Sequence, residues 1–194
     1  MDLTSLLQGP IGQQIIGSAT QQLGINQSQA QTAVGAAIPV LLAALNKNAQ
    51  SGDAAGIANA LNKHDGSILD NLAGFLNQGN VQQDGLGILG HVLGGKQENV
   101  ANQIGKESGL NTAQVIKILA IVAPIVMGFL GKQKQQNNLD SNGIAGLLGG
   151  LVGGSNQASG GINLGGFEKL LDQDGDGKLD ASDVMGLLGG FFKK

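Results

Sequence analysis

A chain of 194 residues with 41% hydrophobic side chains can build a sizeable core, but it has five Phe and no Tyr or Trp, so Leu, Ile, Val and Ala must fill it. The net charge is −3 and no arginine is present, which removes the side chains that usually bind phosphate and guanine and excludes nucleic acid as a partner. Without cysteine there is neither a disulfide nor a thiolate metal site.

The N-terminus, Met1-Asp2-Leu3-Thr4, lacks the basic region and apolar core of a signal peptide, so the expected location is the cytoplasm. Residues 3–8 predict a short helix ended by Gly9-Pro10. Residues 11–23 predict an amphipathic helix with Ile11, Ile15, Ile16 and Ala19 on one side, stopped by Gly24. Asn26 is placed to cap the next helix, and Gln29 stands three residues on, as a capping box requires. That helix should run to about Lys47. Its apolar residues, among them Val34, Ile38, Leu41, Leu42 and Leu45, make it a buried centre. Further helices are expected at about 53–63, 67–76 and 84–93, with Asp65-Gly66 and Asn77-Gln78-Gly79-Asn80 as loops.

The first pattern then returns 85 residues later. Gly24 corresponds to Gly109, Asn26 to Asn111, Gln29 to Gln114, Pro39 to Pro124 and Lys47 to Lys132, without a gap. A proline inside a helix clashes with the carbonyl four residues back. Those residues are Gly35 and Ala120, both small enough to accommodate a kink. The run from Val115 to Leu130 is interrupted by Lys117 and Pro124 and is too short for an ordinary membrane span, so it reads as a core helix. No segment alternates with period two, and no sheet is expected. The expected fold is therefore all-α: a duplicated helical bundle with kinked central helices over residues 1–134.

Leu23-Gly24-Ile25-Asn26 followed by a helix containing Pro39, repeated as Gly109-Leu110-Asn111 with Pro124, resembles the bacterial domain of unknown function 937 family. Ser108 stands where a leucine is expected. The resemblance covers residues 1–134 and implies an all-helical fold. Some members end in a glycine-rich tract and an Asp-Gly-rich loop, and the resemblance implies no activity.

Residues 135–166 shift to Gly, Asn, Gln and Ser and read as a linker, with a weak helix over Gly143 to Gly154. Residues 167–194 hold the one stretch whose chemistry is explicit. Asp172, Asp174 and Asp176 occupy positions 1, 3 and 5 of a calcium-loop pattern, Gly177 position 6 and Asp183 position 12. Ca²⁺ takes six to eight oxygens at roughly 2.3–2.6 Å, and alternate carboxylates around a tight turn can supply them. Lys178 would contribute its backbone carbonyl, and Asp180 would bind directly or through water. Asp183 is shorter than the usual closing Glu, so weaker Ca²⁺ binding or tolerance of Mg²⁺ is expected. Five of the 14 acidic residues fall in these twelve positions, a crowding that a cation relieves. Phe167, Leu170 and Leu171 before the loop, and Val184, Leu187, Leu188 and Phe191 after it, have helical spacing. The segment resembles a single EF-hand, closest to a dockerin loop. Dockerins carry two loops and this chain has one, so no cohesin-type partner is inferred.

Catalysis has little support in the sequence. The two histidines are His64, beside Asp65 in a turn, and His91. No Gly-x-Ser-x-Gly or His-Glu-x-x-His motif is present. Gly90 to Lys96 has the spacing of a phosphate loop, but Gln97 replaces the Ser or Thr that would hold Mg²⁺. The expected function is that of a non-enzymatic calcium-binding helical protein, an interaction or structural module whose metal-ordered tail packs on the chain, on another copy or on a protein partner. A membrane-surface protein using Ile144–Val152 and Phe191-Phe192-Lys193-Lys194 is the alternative, and a hydrolase acting through His64 a more distant one.

Overall fold

A computed structural model describes residues 9–76 and 81–154. The short helix expected at 3–8, the loop at 77–80, the linker from 155 and the calcium loop at 172–183 all lie outside those residues.

The fold is all-α, with no strand among the described residues. α1 is Pro10–Leu23, with proline in its first turn, and it stops at Gly24, whose φ is 62°. α2 is Gln27–Asn48. It opens with a reciprocal cap: the Gln29 amide donates to Asn26 Oδ1 at 2.8 Å, and the Asn26 amide donates to Gln29 Oε1 at 3.2 Å. A kink over Ala49–Asp53, where Gly52 leaves helical geometry with φ 102° and ψ −1°, leads into α3, Ala54–Asn62.

The helix expected over 67–76 is two short pieces, α4 (Ser67–Asp70) and α5 (Leu72–Leu76), broken at Asn71 with φ −134° and ψ 53°. The Asn71 side chain accepts from the Gly74 amide, the kind of local side-chain bond that competes with a continuous helix. α6 is Val81–Val92. A 3₁₀ turn, Gly94–Lys96, precedes α7, Gln97–Ser108. α7 has little signature in the sequence, because only the apolar residues Val100, Ala101 and Ile104 mark its buried face in an otherwise polar stretch.

α8 is Thr112–Gln136. Its cap repeats that of α2: Gln114 N donates to Asn111 Oδ1 at 2.9 Å, and Asn111 N donates to Gln114 Oε1 at 3.1 Å. Gly109, with φ 71°, ends α7 just as Gly24 ends α1. α9 is Ser141–Gly154, with Ile144 and Leu148 buried against α2 and α3.

α8 is the centre. Every residue from Ile118 to Gly131 is buried, and helices α2, α3, α6 and α7 pack around it. By length and composition Gln27–Asn62 and Thr112–Gln136 could each cross a membrane, but most of the apolar window of each is buried inside this fold. The Gln29 side chain donates to the Gly109 carbonyl at 3.1 Å, which sets the starts of α2 and α8 side by side. Leu45 and Met127 line one cleft farther along, so the two helices run in the same direction.

Two glycines set the closest approaches to α8. Pro124 has no N–H, so the Ala120 carbonyl lacks its helical donor. α6 brings Gly85 against that carbonyl, and a β-carbon there would overlap it. A β-carbon on Gly131 would likewise overlap the His64 carbonyl oxygen.

Candidate functional site

The expected metal ligands Asp172, Asp174, Asp176, Lys178, Asp180 and Asp183 lie outside the described residues. Among the described residues, no group of three His, Asp or Glu side chains is placed to hold a metal ion.

The titratable residues that do converge lie around His64. The turn after α3 runs Lys63-His64-Asp65-Gly66, and Gly66 adopts φ 90° as its backbone presses against α8. Asp65 does not pair with His64 through a hydrogen bond; its Oδ1 accepts the Ser67 amide at 2.9 Å. That bond holds the Asp65 carboxyl below its ordinary range. His64 is half-buried, and burial lowers its pKa, opposed by the negative charge of Asp84. Asp84 comes from the first turn of α6, twenty residues away in sequence.

Two hollows meet at this pair. The smaller, about 370 Å³, is walled by Ile68, Phe75 and Pro124. The larger, about 650 Å³, lies between α3 and α6 and is lined by Leu45, Ile57, Ile88 and Met127, with His91 and Asp53 at its far end. Both histidines of the chain therefore open on one cleft. In the sequence His64 stands beside Asp65, and His91 stands apart from both. The signal that could have joined them is Asp84, Ile88 and His91 at i, i+4 and i+7, one face of one helix. What this cleft offers chemically is carboxylates and imidazoles around an apolar floor.

The partial phosphate-loop spacing falls on the end of α6, the 3₁₀ turn and the start of α7. A helix, α6, and not a strand leads into it, so the strand–loop–helix cradle of a phosphate site is not formed there.

Fold and caps together define an all-helical domain built on two proline-containing central helices. The chain belongs to the family described as "Bacterial protein of unknown function (DUF937)", whose model matches residues 5–133. No curated protein and no solved structure matches it.

Proposed function

We propose that this is a non-enzymatic calcium-binding protein, a helical interaction or structural module joined through the Gly-, Asn-, Gln- and Ser-rich stretch 135–166, whose helix α9 packs on α2 and α3, to a metal-ordered segment, 167–194. The observation that carries the reading is the spacing Asp172, Asp174, Asp176, Gly177, Asp180 and Asp183 in one twelve-residue stretch. Lys178 adds its carbonyl, and Ca²⁺ is the ion of choice, with Mg²⁺ tolerated. The proposal includes a cytoplasmic setting, a duplication behind the two capped proline helices, and self-association or a protein partner for the tail. Its support for duplication is the near identity of the two caps, with φ and ψ of −79° and 161° at Asn26 and −80° and 161° at Asn111.

A site closed by Asp should bind Ca²⁺ modestly, with Kd about 10⁻⁶–10⁻³ M. Calorimetry on the wild type and on Asp172→Ala/Asp176→Ala tests it; equal Ca²⁺ uptake by both removes the site. The membrane-surface alternative is weaker. Ile144 and Leu148, its main apolar residues in α9, are buried against α2 and α3. Co-sedimentation with anionic vesicles, with and without Ca²⁺, would revive it.

A further inference from the structure

The cleft between α3 and α6 has a charge at each end and an apolar middle. Asn48, the last residue of α2, donates to the carbonyls of His91 and Val92 at the end of α6, and Asp53 follows at the end of the kink before α3. At the opposite end, His64 follows α3 and meets Asp84 from the start of α6. α3 and α6 thus run antiparallel over α8, with one carboxylate near each end of the gap. At 1.5 Å per residue, Asp84 to His91 spans about 10 Å of α6, and Asp53 to His64 about 16 Å of the facing chain. Between them lie Leu45, Ile57, Ile88 and Met127.

Size and charge select the occupant. A helix of diameter about 10 Å needs roughly 800–1,200 Å³ over this length, more than the 650 Å³ available. The cavity instead falls in the range of small-molecule sites, about 300–1,000 Å³. Carboxylates at both ends repel anions. Lys63 is the one lysine among the described residues that line the cleft; its charge is felt at His64 beside Asp84, but it is exposed, and its flexible stem can swing the ammonium into water when a cation takes its place.

We infer that this cleft binds an aliphatic polyamine, its terminal ammoniums on Asp53 and Asp84 and its methylenes on the apolar floor. None of the residues lining it belongs to the metal loop. Burial keeps the His64 imidazole neutral near pH 7, so it adds no positive charge against the ammonium beside Asp84.

The test is calorimetric titration of the full chain with spermidine at low salt. Saturating Ca²⁺ is present, so that the carboxylates of 172–183 are occupied. The imidazole proton resonances are followed in parallel and assigned with His64→Gln and His91→Gln. The expected result is saturable binding that shifts both imidazole signals. Asp53→Asn and Asp84→Asn should each weaken it about threefold to fivefold, and the double variant tenfold or more, the scale of partly exposed ion pairs. Butylamine, with one charge, should bind at least threefold more weakly, and the dianion pimelate should not bind. Unchanged affinity in the double variant, two unmoved imidazoles, or no uptake overturns the inference. So does uptake that disappears in Asp172→Ala/Asp176→Ala, because the amine is then reading the loop. Polyamine binding in a protein that takes up no Ca²⁺ would retire the calcium reading and keep this one.

Discussion

At Pro39, α2 loses a backbone hydrogen bond beside open space: nothing beyond its own backbone comes within 4 Å of a β-carbon placed on Gly35. At Pro124, α8 loses the same bond, and the backbone of α6 at Gly85 lies against the freed carbonyl. The later halves of the two helices diverge further. α8 carries Gly128 and Gly131, against which the His64–Ile68 turn packs, where α2 has Ala43 and Asn46. Asn46 instead faces Gly149 of α9, its Oδ1 buried without a hydrogen-bond partner. The same cap and the same proline therefore begin two helices with different neighbours, and the small residues along each helix decide how close those neighbours come.

The sharpest way to break this comparison is to add one methyl group on each side. Gly85→Ala or Gly131→Ala forces a β-carbon into a backbone carbonyl and should destabilise by about 3 kcal/mol, the upper range of overpacking. Gly35→Ala meets nothing and should stabilise by about 0.5–1 kcal/mol, because alanine favours a helix over glycine. Urea denaturation of the three variants gives the order, and equal effects would end the distinction.

The caps should behave alike where the helices do not. Asn26→Ala and Asn111→Ala should each cost about 1 kcal/mol. Gln29→Ala should cost more than Gln114→Ala by about 0.5–1.5 kcal/mol, because the Gln29 side chain also bonds to the Gly109 carbonyl. Thermal melts of the four variants check both statements.

These caps were legible in the sequence because a cap is local: Gly24, Asn26 and Gln29 lie within six residues and announce the junction by themselves. The extents of α1, α2 and α8 followed from the same signals and from apolar spacing. The break at Asn71 was hidden, since Leu69, Leu72 and Leu76 keep helical spacing through it. The His64–Asp84 approach was hidden too, because only the packing of α6 on α8 brings those residues together. Close approaches at Gly85 and Gly131 have no local signature in a chain with 34 glycines.

His64 allows a smaller test, in pH. Its folded pKa lies below the ordinary value of about 6.5, so the unfolded chain takes up the proton first. Its contribution to stability is complete above that value and is lost as pH falls through the folded pKa. His64→Gln should flatten the stability profile below about pH 6.5, as followed by urea midpoints from pH 8 to pH 5. Smallest of all is the ion pair between Lys132 and Asp70, 2.9 Å apart with the side chains 38% and 71% exposed. Asp70→Asn should change stability by no more than about 0.5 kcal/mol, and added salt should erase the difference.

The parallel course of α2 and α8 has a consequence for synthesis. Neighbouring helices that run the same way cannot be joined by a short turn, and the chain must travel back the length of α2, about 33 Å, before α8 can begin beside it. Of the four main helices against which α2 packs, α7, α8 and α9 all come after residue 96. On the ribosome, α2 therefore emerges early with most of its apolar surface uncovered and stays so until α8 and α9 arrive. These contacts are distant in sequence, a feature that slows folding and leaves the nascent chain open to association with its neighbours.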